Sequence, residues 1–279
     1  MNGTGNRHIS NSGRAQRLQP LWRAYGDLAA PLAIVILAIG GLRLALMVAE
    51  AARSPGAIGI DHATAMDAAR RWLGGSSPYL ARQLAGPYTL LGANLSDSGE
   101  MLYPPVVLPF YAVASVAPAI LWWAIPVVLS SVAIWRARAA RWAWPILALC
   151  LTVGPSLATL IAGNPVMWII ATSLWAPSLG WPGPLAVLKP SVAPLALLGI
   201  RHRSWWIAAG ILGVACLAFG SLWADWYRSV VNMQTPGLGG ILYSVPELPF
   251  LLIPVIAAVA ARPTTRKSAM EREADRRDT

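Results

Sequence analysis

The 279 residues are 56% hydrophobic and only 12% charged, with a net charge of +10. An average soluble domain carries about 25% charged residues, so this chain lacks the polar shell that a water-soluble fold of its size needs. Its positive charge gathers in short patches beside hydrophobic blocks, which makes nucleic-acid binding the weaker explanation of the +10.

In chain order, residues 1–30 form a polar basic tail with Arg7, Arg14, Arg17 and Arg23 and no cleavable signal pattern. About the first twenty read as disordered. Residues 31–52 are long enough to span a bilayer, which takes roughly 20 apolar residues. A loop, 54–103, carries Arg70, Arg71 and Arg82 against Asp61, Asp67, Asp97 and Glu100. Block 104–135 contains Pro109, Pro118 and Pro126 and reads as a half-helix followed by one crossing. Block 142–162 makes the next crossing. Block 164–200, with Pro165, Pro177, Pro182, Pro184, Pro190 and Pro194, reads as a broken or re-entrant piece. Blocks 204–222 and 239–261 follow, and 263–279 is a charged tail read as disordered.

Most of the basic residues outside the loop sit in the N-terminal tail, in the links Arg136–Arg141 and Arg201–Arg203, and in the C-terminal tail. Basic links face the cytoplasm and charge-balanced ones face out, and Trp22, Trp135, Trp142, Trp205 and Trp223 stand at the block boundaries as an interfacial belt would. The expected fold is therefore all-α. It is a polytopic membrane helix bundle of six to eight hydrophobic segments in the cytoplasmic (inner) membrane, with both termini cytoplasmic and the membrane domain over 31–262. Cys150 and Cys216 lie within hydrophobic blocks and read as small buried apolar residues.

The loop holds most of the polar chemistry. Over 61–73, Ala65, Met66, Ala69, Trp72 and Leu73 recur on one helical face and Thr64, Asp67, Arg70 and Arg71 on the other. This predicts an amphipathic helix lying on the membrane surface, started by Asp61 as its N-cap and stopped at Gly74-Gly75, with Met66 and Trp72 toward lipid. The chain re-enters the membrane at Tyr103-Pro104-Pro105.

An Asp just after the first membrane helix, Ala68-Ala69 seven and eight residues on, Gly75-Ser-Ser-Pro78-Tyr79 and the Tyr103-Pro104-Pro105 entry together resemble the polyprenyl-phosphate-sugar-dependent glycosyltransferases of the C-fold (GT-C) superfamily. The pattern is most similar to the alpha-mannosyltransferases of glycosyltransferase family 87. Gly163-Asn164, where that family usually has Gly-Gln, and Leu188-Lys189-Pro190 ahead of Arg201-His202-Arg203 agree with it. The resemblance spans about residues 30–230. It implies transfer of a sugar, mannose in the family, from a polyprenyl-phosphate sugar donor to a lipid or glycan acceptor on the outer face.

Such a reaction asks for one carboxylate as general base on the acceptor hydroxyl, because a phosphate leaving group needs no acid. Asp61 stands at the family's position for that base. The lipid phosphate needs a cation in a low-dielectric setting; Arg70, Arg71, Arg82, Lys189 and Arg228 are candidates, with His62, Tyr79, Tyr103 and Asn164 as further substrate-binding residues. Each has a structural alternative: a cap for Asp61, a solvated interfacial role for His62, headgroup contact for Arg70 and Arg71, and a snorkelling side chain for Lys189. Arg43 and Glu247 are further charges within hydrophobic blocks, open to pairing with each other or with lipid. No cofactor is expected. Asp97 and Glu100 offer oxygens to a divalent ion but, three apart in a loop, read first as solvated surface carboxylates, and the sequon Asn94-Leu95-Ser96 matters only in a eukaryotic secretory setting. The other functional class is a non-enzymatic membrane protein: a transporter of a lipid or sugar-lipid, or a degenerate homologue serving as an assembly partner. The polar residues concentrate in one loop, and no nucleotide-binding glycine motif occurs, which favours the enzyme.

Overall fold

The structure is a computed structural model that describes residues 12–54, 56–89, 99–233 and 247–261, with side chains described from Asp27 onward. Its described residues are helical, apart from connecting loops and an isolated bridge between Tyr88 and Met233.

Helix α1 covers Ser12–Ala51. It begins well before the hydrophobic block, so the part of the N-terminal tail expected to be disordered is helical from Ser12; residues 14–30 are rich in Arg, Leu and Ala, all good helix formers. The C-terminal tail lies outside the described residues. From Leu28 to Leu46, α1 leaves Ile34, Val35, Ile39 and Leu42 exposed. A continuous apolar surface of that size is not left to water, and the protein is membrane-embedded. Helices α1, over 27–51, and α5 (Ile120–Ala137) are long and apolar enough to cross a bilayer. Among the described residues the number rises to four if two bent pairs each count as one span: α6 (Ala143–Thr152) with α7 (Gly154–Ala162), bent by 55°, and α9 (Arg203–Leu217) with α10 (Leu222–Val231), bent by 94°.

The prolines explain most of the breaks. Block 104–135 divides at 116–119, beside Pro118, into a 3-10 turn with α4 (Leu108–Ser115) and then α5, while Pro126 stays inside α5. Block 164–200 gives α8 (Val166–Leu179) and then two 3-10 segments, Gly183–Leu188 and Pro190–Leu197. Proline removes the N–H that a continuing α-helix needs, so this stretch winds in short 3-10 pieces. Block 204–222 is not one straight span, because its helix ends at Leu217 and the chain turns sharply into α10. Helix α11 (Leu248–Ala260) closes the described chain.

Among the described residues two apolar cores result. One gathers Leu147, Ile170, Leu195 and Ile253 from α6, α8, the second 3-10 segment and α11. The other gathers Met66, Leu108, Tyr111 and Trp122 from α2 (Ile60–Leu73), α4 and α5. Tyr103 and Leu188 pack against both. Of the polar residues singled out by the sequence, Asp61, Asn164 and Lys189 gather around Tyr103 on this seam.

The apolar face of α2 therefore differs from expectation. Met66 is buried against the protein, and Trp72 packs on Phe219 with ring centroids 6.1 Å apart. Periodicity identifies an apolar face but does not say whether protein or lipid covers it. Here α4 covers it.

Candidate functional site

Two glycines set the geometry. Gly59, at φ 77°, precedes α2, and its N–H donates to Ile161 O at 2.9 Å, tying the start of α2 to the end of α7. Gly163, at φ 67°, ends α7; a Cβ there would stand 2.7 Å from the Trp123 ring and 3.1 Å from His62. Both positions need the left-handed conformation that glycine adopts without steric cost. The indoles fix the junction further: Trp122 Nε1 donates to Gly163 O at 2.7 Å and Trp123 Nε1 to Leu160 O at 2.8 Å.

With α2 held against that junction, Asp61 faces Asn164. The Asn164 amide donates to Asp61 Oδ2 at 2.6 Å. Asn164 Oδ1 accepts from Val166 N–H and from the Tyr103 hydroxyl, each at 2.9 Å. The first of these is an Asx turn that leads into α8, and it fixes which end of the amide points at the carboxylate. Asp61 does not cap α2 with its side chain; Gly59 is the cap residue, and the carboxylate is directed at Asn164 instead.

Tyr103 stands at a bend just before the 3-10 turn Pro105–Val107, and its carbonyl accepts from the Tyr79 hydroxyl at 2.9 Å. Lys189 joins from the other side. It stands between the two 3-10 segments with extended backbone (φ −126°, ψ 104°), as a residue before proline prefers. Its ammonium lies 5.5 Å from the Tyr103 ring centroid and 2.8 Å from Glu247 Oε1, with the two side chains only 15% and 23% exposed. Glu247 thus pairs with Lys189, not with Arg43.

Burial pushes the Asp61 carboxyl above its usual value, while the Asn164 hydrogen bond and the Lys189 charge pull it back down. The result is a desolvated carboxylate that a donor and a nearby cation help keep ionised. His62 is half-buried. Its ring lies 5.2 Å from Trp122 and 5.3 Å from Trp123, and burial, then the Arg70 charge, lower its pKa, which favours the neutral imidazole. Burial, then Asp225, raises the Tyr79 hydroxyl, which stays a phenol and a donor.

Three of the four candidate arginines are engaged elsewhere. Arg70 pairs with Asp67 at 2.6 Å on the exposed face of α2. Arg71 Nε and Nη2 donate to Pro78 O at 3.2 and 2.7 Å and close the Gly74-Gly75 loop. Arg82, on α3 (Ala81–Ala85), pairs with Glu100 at 3.0 Å. Arg228 is exposed on α10. Around α3, Ser77 donates to Asp225, Tyr88 to Ser229 O, and Asn232 to Gln83 O, so this part of the loop is docked on α10. Asp97 and the sequon lie outside the described residues. Among the described residues no cluster of three or more His, Cys, Asp or Glu could hold a metal.

Sequence reasoning did not place Trp122, Trp123, Tyr111, Trp168 or Gln83. The Trp122-Trp123 pair inside a hydrophobic block was a signal, since buried indoles seek acceptors. Comparison with protein-family models, curated proteins and solved structures finds no match.

Proposed function

We propose that the chain is a membrane glycosyltransferase that moves a sugar, mannose by the family resemblance, from a polyprenyl phosphate to a lipid or glycan hydroxyl at the outer face of the cytoplasmic membrane. Asp61 takes the proton of the acceptor hydroxyl. The acceptor oxygen bonds to the anomeric carbon, the bond from that carbon to the phosphate oxygen breaks, and the polyprenyl phosphate leaves with the electron pair. Burial strengthens Asp61 as a base, and catalytic bases work best when their pKa approaches the working pH. Asn164 orients the carboxylate. Lys189 supplies the cation for the phosphate, with Tyr103 beneath it. In this reading the six to eight hydrophobic segments make a multi-pass bundle with both termini cytoplasmic, and α2 stands at the outer surface.

The observation that carries the reading is the hydrogen bond from Asn164 to Asp61. It joins two residues 103 positions apart, each named on independent motifs. The test is the purified protein in liposomes with radiolabelled polyprenyl-phosphate mannose and extracted envelope lipids. Label should move into a new glycolipid; its complete retention on the carrier would overturn the reading.

One observation favours the second class. Lys189 and Glu247 form a mostly buried ion pair between apolar segments, and intramembrane charges mark transport pathways as well as catalytic ones. A carrier would move labelled sugar-lipid across the liposome bilayer without making a new covalent product.

A further inference from the structure

The helices that carry the Asp61 constellation have a second end. Trp122 stands in the first turn of α5 and Arg136 in its last, about 21 Å along the axis. Asn164 precedes α8, whose other end, Leu179, lies about 20 Å away. There two basic links meet the last turns of α8. The Arg136 guanidinium lies over Trp175, 5.5 Å from the ring centroid. From the other link, His202 Nε2 lies 3.1 Å from Pro177 O, and Ser204 Oγ donates to Leu179 O at 2.6 Å. The end of α8 thus brings Arg136 and Arg138 to the same end of the bundle as Arg201 and Arg203. All four are exposed, and so are Trp135, Trp181 and Trp206.

Local structure does not account for this charge. Cations are favoured at a helix C-terminus and disfavoured at an N-terminus. That suits Arg136 at the end of α5 but not Arg201 and Arg203 at the start of α9. Arg138 holds φ 46° just after α5, where glycine is the usual choice. Among the described residues none of the four has an ion-pair partner, and Asp27, the acid at this end, lies 3.5 Å from Arg141. The chain beyond adds no surplus of acid. Residues 1–26 contain no Asp or Glu, and 262–279 hold six basic residues against four acidic ones.

The missing counter-charge has an apolar layer behind it. Ile207 and Ile211 of α9 and Val128 of α5 are exposed on the helices that lead away from the arginines. A soluble acidic protein or a nucleic acid would match the charge but leave those side chains and the indoles uncovered. A lipid meets both.

We propose that the ends of α5 and α8 and the start of α9 form a binding surface for anionic phospholipids of the bilayer. Headgroup phosphates pair with Arg138, Arg201 and Arg203, since a guanidinium offers phosphate two parallel N–H donors. The indoles lie at headgroup level and the acyl chains along α5 and α9. In the topology proposed above this is the cytoplasmic leaflet, whose anionic lipids attract basic segments. The surface stands at the opposite end from Asp61 and does not depend on the transferase reading.

The experiment is native mass spectrometry of the full-length protein with equimolar phosphatidylglycerol and phosphatidylcholine of matched chains. Phosphatidylglycerol should be retained preferentially. Arg201→Gln with Arg203→Gln should cut that preference about tenfold or more, and Arg138→Gln about fivefold. Arg201→Lys with Arg203→Lys should keep most of it, because the charge stays. Arg53→Gln removes the same charge at the other end, where Arg53 pairs with Glu50 at 2.8 Å, and should leave the preference unchanged. These side chains are exposed, so melting temperatures in phosphatidylcholine micelles should stay level. No preference in wild type, a preference that survives the Gln pair, an equal fall in Arg53→Gln, or abolition by millimolar inorganic phosphate would each overturn the surface. Glu271→Gln, Glu273→Gln, Asp275→Asn and Asp278→Asn together should change nothing; a rise in retention would assign the arginines to the C-terminal tail instead.

Discussion

Asp61 sits where three influences oppose one another: burial raises its pKa, and Asn164 and Lys189 lower it. Because its native pKa lies above the unfolded value, the protonated form is favoured in the fold. That contribution is complete below the unfolded pKa and is lost as pH rises through the native one. Asp61→Asn fixes the neutral state, keeps an oxygen for the Asn164 amide, and should melt at the same temperature as wild type or higher at neutral pH. Circular dichroism on the detergent-solubilised variant checks this; a fall of several degrees would mean that the charge itself holds the fold. Activity should lose its acid limb as Asp61 protonates. Asn164→Ala removes a donor that favours the carboxylate, so the limb should move to higher pH, measurable as kcat/KM from about pH 4 to 8. A limb that stays in place would separate Asn164 from the base. Asp61 was singled out by its motif, but its contact with Asn164 was not readable there. Its rival role as a helix cap was wrong for a local reason: Gly59 takes the cap position, and the carboxylate has a long-range partner that no local pattern encodes.

At the scale of elements, the junction of α7 and α8 against α2 depends on Gly163. Alanine there must adopt a positive φ and push its Cβ into Trp123, so Gly163→Ala should cost about 1–3 kcal/mol. It should also disturb the Asp61 to Asn164 contact, seen as a drop in kcat larger than the change in stability explains. The second hinge of the design is the Lys189 to Glu247 pair, which ties the two 3-10 segments to α11. Lys189→Met strands a mostly buried carboxylate and should destabilise by about 1–3 kcal/mol. Adding Glu247→Leu should restore most of it, and a double-mutant cycle in melting experiments measures the coupling. Additive effects would mean that the pair is not formed. Breaks near Pro118 and across 180–197 were readable from the prolines, because a missing N–H acts locally. The partner of Glu247 was not readable, since both charges lie in apolar blocks far apart in sequence.

For the whole molecule, charge distribution and exposed apolar helices agree on a membrane-embedded helical protein. Hydropathy overstated the straightness of the spans. A helix of 13 or 14 residues, such as α8 or α11, reaches about 20 Å against a hydrocarbon core of about 30 Å. The remaining length falls to 3-10 segments and bends that composition does not reveal. The topology is open to cysteine labelling in sealed cells: single cysteines replacing Ser76 and Arg138 should react with a membrane-impermeant maleimide from opposite sides. Labelling from one side would invert the outer-face placement of α2. The central claim is that Asp61 is the base of a sugar transfer, and one comparison meets it directly: transfer of label from polyprenyl-phosphate mannose by wild type, Asp61→Asn and Asp67→Asn, each equally folded. Wild type and Asp67→Asn should transfer at similar rates and Asp61→Asn roughly a hundred- to ten-thousandfold more slowly; an Asp61→Asn rate near wild type would contradict the claim.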